Sequence, residues 1–452
     1  MQMNAQTHHL QAQMKAFNEA LDNGALAEVR HMLHGMPAAD TAHLLESSPP
    51  RERNILWELI SKEDEGDVLQ YLQEEIAAQF LSHRNPQEII DAVEDFEPDD
   101  FADLFQELPK PVARRVLESM DEKLRQRVAT LLSFPEDTAG GLMNTDTITV
   151  RPNISLNTLL RYLRRHKSIP AMTDNILVVN RADKFVGILP LTKLLTSDPN
   201  MSVREAMLTD VHAIHVGMPD SEVAAIFERR DLVSAPVVNG DGRLLGRITI
   251  DDVVDVIRED AEHSLMSMAG LDEDEDTFAP ALITARRRSL WLGINLLTAL
   301  FASAVIGQFQ ETIDKVVALA VLMPIVASMG GIAGNQTLTL VIRGMALGQI
   351  GASNARWLLS RETIVGFING CIWSTVVGVV ASVWFNDTVL GLIIASAMII
   401  NLIIAGIAGA SLPMALKRLN IDPALSGGVI LTTITDVIGF LAFLGLASLY
   451  YL

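Results

Sequence analysis

Residues 316–342 read VVALAVLMPIVASMGGIAGNQTLTLVI, a run of apolar and small polar residues without a single charge. An α-helix of this length can cross a hydrocarbon layer of about 30 Å. Three other runs have the same character, at 289–310, 363–386 and 388–416. A fifth run at 423–452 contains one carboxylate, Asp436, and we place its membrane part at 426–451. The sequence therefore predicts an α-helical transmembrane domain with five spans over residues 286–452.

The acidic residues are concentrated before these spans. Residues 281–452 hold nine Lys and Arg and six Asp and Glu, so the net charge is −23 for residues 1–280 and +3 for the rest. A surface this acidic repels nucleic acid and attracts cations, and we expect no nucleic-acid partner. The single cysteine, Cys371, excludes an intramolecular disulfide framework, and no cleaved signal peptide is predicted in the first 30 residues.

Basic residues flank the spans on alternate sides. They are Arg286, Arg287 and Arg288 before the first span, Arg343, Arg356 and Arg361 between the second and third, and Lys417 and Arg418 between the fourth and fifth. The positive-inside rule then predicts a multi-pass protein of the cell inner membrane, with its N-terminus in the cytoplasm and its C-terminus outside.

Polar groups inside the spans indicate a pathway for an ion. Asp436 follows three threonines in the last span, and a carboxylate near the bilayer centre costs roughly 3 kcal/mol unless it faces a polar pathway. The alternative is a structural hydrogen bond to a neighbouring Asn or Thr. Glycines and amides at 330–336 weaken the second helix, which exposes backbone carbonyls to a pathway or simply allows close helix packing. Glu362 either lines a cytoplasmic mouth or occupies the first turn of the third span.

The ligand chemistry of the spans favours a hard cation. All ten histidines lie at or before His263, so apart from Cys371 the spans offer only oxygen and amide groups. Oxygen ligands suit Mg²⁺, Ca²⁺ and Mn²⁺, whereas Zn²⁺, Cu²⁺ and Ni²⁺ prefer imidazole or thiolate. Mg²⁺ can also be held through its waters. If two chains meet about a two-fold axis, their Asp436 carboxylates form a cation-selecting ring.

Two internal repeats organise the acidic part. Residues 41–72 align without gaps with 101–132, and both copies have helical apolar spacing broken at proline, which predicts an all-α helical-repeat domain over 1–134. Acidic residues in it are interpreted as a solvated face: Asp95, Glu97, Asp99, Asp100 and Asp103.

The second repeat starts at Met143 and again at Met207, and each copy continues as β-α-β-β-α. This order resembles a pair of CBS domains, an α/β module, which we place at 135–258 (about 138–200 and 201–258). The resemblance implies one site for an adenosine-type nucleotide such as ATP, at Thr249 and Asp252, because only the second copy matches the family's Thr–Asp spacing. The alternative is a pair that serves only dimerisation and signalling.

An acidic connecting helix is predicted at 259–285, between this pair and the first span. Four carboxylates before and within it share one helical face at spacings of three to four residues: Asp251, Asp255, Glu259 and Glu262. A divalent cation would relieve their repulsion, although a solvated face has the same pattern.

Taken together, these segments resemble the MgtE family of magnesium transporters. The resemblance is carried by FPEDTAGGLM at 134–143, GGIAGNQ at 330–336, Leu412-Pro, DPAL at 422–425 and TTITD at 432–436. It implies a homodimeric channel-like transporter in the lipid bilayer, with a helical N domain, a CBS pair and a plug helix before the five spans.

The resemblance also implies roles for particular residues. The ion-binding residues of the pore would be Asp436, Thr432, Asn335, Gly331 and Glu362. Regulatory Mg²⁺ would bind Asp95, Asp99, Asp252, Asp255, Glu259, Asp260 and the membrane-side Asp422. Two positions differ from the family pattern: Ile332 stands where the family has Asn, and His263-Ser264 where it commonly has an acidic pair, with further acids at 272–276.

The sequence thus predicts a homodimer that passes hydrated Mg²⁺ down its electrochemical gradient and is closed by Mg²⁺ bound to its cytosolic domains and plug helix. Alternatives are a broader transporter of Co²⁺ or Mn²⁺, and a membrane-anchored nucleotide sensor that transports nothing. The chain contains no GxxxxGK[ST] loop, and no Ser–His or metal–His pattern lies in a plausible site, so we expect no enzyme activity.

Overall fold

The computed structural model describes residue 17 and residues 25–93, 96–166, 168–271, 277–351 and 353–452, with the side chains of residues 123 and 124 excepted. The chain divides into two compact units. The first comprises residues 1–260 and 276–279, and we call it the cytosolic unit because the sequence predicts that it lies in the cytoplasm. The second, the membrane unit, comprises residues 261–275 and 280–452.

The cytosolic unit begins with a helical domain. Its described helices are α1 (Leu26–His34), α2 (Ala38–Glu46), α3 (Pro50–Leu59), α4 (Glu65–Leu69), α5 (Glu74–Leu81), α6 (Pro86–Ala92), α7 (Pro98–Glu107), α8 (Lys110–Ser119) and α9 (Glu122–Leu131). Prolines begin α3, α6 and α7, where their missing N–H costs nothing because the first turn has no partner for it. The apolar faces share one core, which includes Leu45, Leu56, Ile89, Leu104 and Val116.

Two three-stranded sheets follow, one for each copy of the second repeat. The first copy contains β1 (Thr149–Val150), α10 (Leu156–Leu163), β2 (Asn175–Val179), β3 (Phe185–Pro190) and α11 (Leu191–Thr196). The second contains α12 (Val203–Ala206), β4 (Ile214–His215), α13 (Asp220–Arg230), β5 (Ser234–Val238) and β6 (Leu244–Thr249). In each sheet the first strand pairs parallel with the second, and the second antiparallel with the third. This is the predicted α/β order.

The second copy packs against the helical domain. Ala102 and Leu131 of the helical domain share a core with Val223, Phe227 and further residues of the second copy. The first copy adds a polar link, because the amide of its Asn144 donates a hydrogen bond to the Glu97 carboxylate of the helical domain. The helical domain and the CBS-like pair therefore form one compact unit.

Helix α14 (Ile250–Met268) begins directly after β6 and ends earlier than the predicted connecting helix at 259–285. Its end is fixed by Gly270, whose φ of 71° is in the left-handed region that glycine tolerates. The Leu271 N–H then donates to the Met266 carbonyl at 3.0 Å, which closes the last turn. Residues 281–285, predicted as part of the connecting helix, belong instead to the next helix.

The membrane unit contains the five predicted spans. They are α15 (Ala281–Gly307), α17 (Ala318–Ala346), α18 (Ala355–Phe385), α19 (Thr388–Arg418) and α20 (Pro423–Tyr451), here called spans 1 to 5. A short helix, α16 (Gln310–Lys315), joins spans 1 and 2. Five helices among the described residues are thus long and apolar enough to cross a membrane, which confirms the predicted fold class.

Span 2 differs from the expectation of a weakened helix. It is continuous through Pro324 and through all three glycines of the 330–336 segment. Gly330 and Gly334 are notches into which the side chains of Asn401 and Leu431 pack, whereas a Cβ at Gly331 would meet no atom within 4 Å. Close packing therefore explains two of the glycines, because it compensates for their low helix propensity.

Candidate ion pathway and acidic cluster

Spans 2 and 5 run antiparallel in direct contact. Val326 lies against Gly439, Gly334 against Leu431, and Leu338 against Gly427. Because these pairs step in opposite directions along the two helices, they fix the register of the predicted ion-binding segments.

A polar stripe runs along one side of span 5. Gly428, Thr432 and Asp436 are spaced by four residues and so lie on one helical face. The Asn335 Oδ1 of span 2 lies 3.9 Å from the position of a Cβ on Gly428, which places the amide at the start of this stripe. Gly331 is one turn away from Asn335 on its own helix. Four of the five predicted pore residues therefore lie on the paired spans 2 and 5.

Asp436 is half-buried, and within the described part of the chain it makes no hydrogen bond to another side chain. The neighbouring hydroxyls are engaged elsewhere. Thr432 donates to the Gly428 carbonyl at 2.7 Å, and Thr435 to the Thr432 carbonyl at 3.0 Å. A hydroxyl that donates to its own helix presents its lone pairs outward, so the stripe offers acceptor oxygens to a cation or to its waters.

Glu362, the fifth predicted pore residue, occupies a different environment. Span 3 begins at Ala355, so Glu362 lies two turns inside the helix and not in its first turn. Its side chain is only 4% exposed. It accepts a hydrogen bond from Thr337 Oγ1 of span 2 at 3.1 Å and one from Arg361 at 2.7 Å. These contacts hold the carboxylate between spans.

The cytosolic unit brings several acids of the helical domain close to acids of α14. Asp99 is 4% exposed, and its Oδ1 is buried with no hydrogen-bond partner. Burial raises the pKa of Asp99 well above its usual range, and the charge of Asp252 adds to that shift. Burial likewise raises the pKa of Asp103 to about 8 and that of Asp252 to about 7. Asp99 is therefore not on the solvated face that the sequence suggested.

Acids that the sequence did not assign to regulation belong to the same cluster. Desolvation, with the charges of Glu136 and Glu259, raises the pKa of Glu74 to about 7. Desolvation also raises the pKa of Glu97 and of Glu259. We call Glu74, Glu97, Asp99, Asp100, Asp103, Asp252 and Glu259 the acidic cluster. Glu74 is far from α14 in sequence, so only the packing of the two domains could reveal it.

The other predicted regulatory residues are less closely involved. Asp255 is exposed and paired with Arg258 at 3.1 Å, although its charge raises the pKa of Glu259. Asp260 lies on the exposed side of α14, and Asp95 lies outside the described residues. Asp252 Oδ2 accepts hydrogen bonds from both the N–H and the Oγ1 of Thr249, so the predicted nucleotide pair is in contact.

The cluster suits a divalent cation by its chemistry. Its possible ligands are all carboxylate oxygens, which Mg²⁺ prefers. One of them, Asp99 Oδ1, is buried and accepts no hydrogen bond from the part of the chain that the structure describes, so its lone pairs are available to a cation. Among the described residues, no three acidic, imidazole or thiol groups already converge on one point. That arrangement fits an ion held partly through its waters better than one stripped of them.

Asp422 acts as the N-cap of span 5. Its Oδ1 accepts from the Ala424 N–H at 2.9 Å and its Oδ2 from the Leu425 N–H at 3.2 Å. His263 Nε2 lies 3.2 Å from Asp422 Oδ2, so the membrane-unit end of α14 contacts the start of span 5 directly. The carboxylate predicted as a metal ligand thus already serves two structural contacts.

Comparisons with known proteins assign segments along most of the chain. Residues 323–446 match a family described as MgtE, divalent cation transporter, and residues 36–137 match the MgtE intracellular N domain. Residues 139–199 and 203–259 match CBS domains.

Several relatives that match almost the whole chain are named magnesium transporter MgtE. The one from Thermus thermophilus is 30% identical over 442 residues, which cover 96% of this chain and 97% of the relative. The one from Bacillus subtilis is 27% identical and covers 95% of both chains. The crystal structure of the cytosolic domain of the Mg²⁺ channel MgtE in complex with ATP is 30% identical, covers 54% of this chain and 99% of that one, and gives a TM-score of 0.49. By its near full-length similarity to these transporters, the chain belongs to the MgtE family of magnesium transporters.

Proposed function

We propose that two copies of this chain form a Mg²⁺ transporter or channel that passes hydrated Mg²⁺ down its electrochemical gradient. The observation that carries this proposal is the polar stripe of span 5, with Asn335 beside its first residue and Asp436 at its end. No nucleotide hydrolysis is needed, because a negative membrane potential favours cation entry.

The stripe can hold a cation together with its water. Asp436 supplies the negative charge, and the oxygens of Thr432 and Asn335 accept hydrogen bonds from the inner waters of Mg²⁺. Gly331 leaves space for that shell, since no atom lies within 4 Å of where its Cβ would be. A two-fold axis along the pathway would double the carboxylates, and this is the reason for proposing a homodimer.

Closure is proposed to depend on the acidic cluster. The charge of Asp252 repels the carboxylates of both Asp99 and Asp103, which loosens the contact between the helical domain and α14. Bound Mg²⁺ would supply the positive charge that opposes this repulsion, so it favours the compact arrangement of the cytosolic unit. The contact of His263 with Asp422 then keeps the end of α14 at the start of span 5.

The membrane topology and a nucleotide site are also part of this proposal. The arginines before span 1 and between spans 2 and 3 favour an inner-membrane protein with a cytoplasmic N-terminus and an external C-terminus. The contact between Thr249 and Asp252 is compatible with ATP at the second CBS domain. Because Asp252 also belongs to the acidic cluster, nucleotide and regulatory Mg²⁺ would share one residue.

The decisive experiment measures Mg²⁺ influx into proteoliposomes for the wild type, Asp436→Ala and Asp314→Ala. Asp314 is an exposed carboxylate on α16, so its variant makes the same chemical change away from the stripe. We expect Asp436→Ala to reduce influx roughly a hundredfold, because it removes the carboxylate charge that attracts the cation, and that factor corresponds to a loss of about 3 kcal/mol. Asp314→Ala should stay within about twofold of the wild type.

Other outcomes separate the alternatives. Influx that Co²⁺ or Mn²⁺ carries equally well indicates a broader divalent-cation transporter. Influx that depends on Asp436 but does not change with internal Mg²⁺ supports the proposed pathway and contradicts the proposed closure. If none of the three proteins conducts at any internal Mg²⁺ concentration, a membrane-anchored nucleotide sensor becomes the better account.

A further inference from the structure

An asparagine of span 4 lies where spans 2 and 5 meet, and span 5 carries the polar stripe. Asn401 is 1% exposed, and its Nδ2 donates a hydrogen bond to the Val326 carbonyl of span 2 at 2.9 Å. A carbonyl has two lone pairs, so Val326 can accept this bond in addition to the one within its helix. The amide therefore joins span 4 to span 2 by a specific polar contact.

Two glycines make room for this side chain. A Cβ on Gly330 would overlap Asn401 Nδ2, and a Cβ on Gly439 would lie 2.8 Å from the same atom. The first glycine is on span 2 and the second is on span 5, so the amide fills a gap at the junction of three spans. Any larger residue at either glycine would force the helices apart.

The position of this junction relates it to the ion pathway. Gly330 is adjacent to Gly331, and Gly439 follows Asp436 by one helical turn. The distance between spans 2 and 5 at this level thus depends on the Asn401 amide, together with the direct contact of Val326 with Gly439. Asp436 lies one turn before this junction, so that distance bears on the space that an ion beside Asp436 can occupy.

The chemistry of Asn401 argues against a role in packing alone. Its Oδ1 is buried without a hydrogen-bond partner, which carries a free-energy cost. Leucine has a similar volume and would avoid that cost. The part of the side chain that leucine cannot replace is the donor to Val326.

We propose that Asn401 is a positioning residue for the ion pathway, which fixes the spacing of spans 2 and 5 in front of Asp436. The inference rests on the proposed function, since it concerns the geometry of the same pathway. It assigns no contact between Asn401 and the ion.

The test measures Mg²⁺ influx, and the ratio of Mg²⁺ to Ca²⁺ influx, in proteoliposomes of the full chain. Asn401→Leu removes the donor at similar volume, and Asn369→Leu makes the same change on the exposed surface of span 3. We expect Asn401→Leu to lower Mg²⁺ influx roughly tenfold, as for loss of one buried hydrogen bond, and to lower the Mg²⁺ to Ca²⁺ ratio. Asn369→Leu should leave the ratio unchanged.

A merely structural role gives a different result. It would reduce the yield of folded protein, while influx per folded molecule and the ion ratio stay as in the wild type, and this outcome overturns the proposal. If Asn401→Leu does not fold, Asn401→Gln keeps a donor but displaces it, and an unchanged ion ratio in that variant also overturns the proposal. Wild-type influx that does not require Asp436 refutes the proposed function itself, and the inference falls with it.

Discussion

The acidic cluster and the polar stripe use carboxylates in opposite ways. In the cytosolic unit, burial and mutual repulsion raise the pKa of Asp103 to about 8 and that of Asp252 to about 7, so the charges are held close together at a cost. In the membrane unit a single carboxylate, Asp436, stands among neutral hydroxyl and amide oxygens. Many weakly held charges suit a sensor whose stability varies with cation concentration, whereas one charge among dipoles suits a site that an ion must leave quickly.

A test of Glu362 addresses whether the pathway has a second carboxylate. The hydrogen bond that it accepts from Thr337 of span 2 indicates that it holds span 3 to span 2, while Arg361 is its neighbour on span 3. Glu362→Ala leaves an uncompensated cavity and breaks a buried hydrogen bond, so we expect about 3 kcal/mol lower stability in detergent thermal unfolding. Glu362→Gln retains the shape and an acceptor, and Mg²⁺ influx should remain above about half of the wild-type value.

A large loss of influx in well-folded Glu362→Gln would show that the carboxylate charge itself serves the ion. In that case the pathway has two charged sites per chain, and the contrast with the acidic cluster weakens. Asp314→Ala provides the control for a carboxylate outside the spans.

The sequence allowed the fold to be predicted, because the fold depends on local patterns, and apolar length defined the five spans. The role of Asp436 was inferred from its position inside the last span, whereas that of Thr432 was implied by the family resemblance, and both stay predictions. The buried state of Asp99 could not be predicted, since it depends on the packing of α7 against a CBS domain far along the chain. The contacts of Asn401 could not be predicted either, because the glycines that receive its side chain lie on two other helices.

Neutralising the acidic cluster should make the stability of the cytosolic unit independent of divalent cations. Asp99→Asn with Asp103→Asn removes two desolvated charges, so the cation-free unfolding free energy of the cytosolic unit should rise by about 2 kcal/mol. The stabilisation that Mg²⁺ gives to the wild type should largely disappear. Differential scanning fluorimetry of the full chain, with and without Mg²⁺, measures both effects.

The matched control is Glu58→Gln with Glu63→Gln, two exposed acids of the same helical domain. Equal Mg²⁺-induced stabilisation in the two double variants would contradict a role for the acidic cluster.

The raised pKa values also predict a pH dependence. The folded-state pKa values of Asp103 and Asp252 exceed those of the unfolded chain, so the folded state binds more protons. Without divalent cations, the unfolding free energy should be highest near pH 4 and should fall by about 1–3 kcal/mol as the pH rises to about 8. Urea unfolding followed by hydrogen exchange of cytosolic peptides measures this slope. Stability that rises with pH over this range would show that the acids are not desolvated as described.

The smallest expected effect concerns the contact between α14 and span 5. His263→Ala removes the hydrogen bond to Asp422, while Asp422 continues to cap span 5 through the Ala424 and Leu425 N–H groups. The fold should therefore survive, and the loss of about 1 kcal/mol should fall on the closed arrangement alone. Because about 1 kcal/mol corresponds to about a fivefold change in an equilibrium constant, the internal Mg²⁺ concentration needed for half-inhibition of influx should rise about fivefold.

His263→Gln, which keeps a donor near Asp422, should restore most of the inhibition, and His212→Ala changes an exposed histidine of the cytosolic unit as a control. If influx through His263→Ala is half-inhibited at the same internal Mg²⁺ concentration as in the wild type, the contact does not contribute to closure. The acidic cluster would then have to act on the spans without this hydrogen bond. If instead both His263→Ala and His263→Gln raise the half-inhibiting Mg²⁺ concentration equally, the imidazole ring contributes through its shape and not through its hydrogen-bond donor. Closure would then depend on packing at the start of span 5.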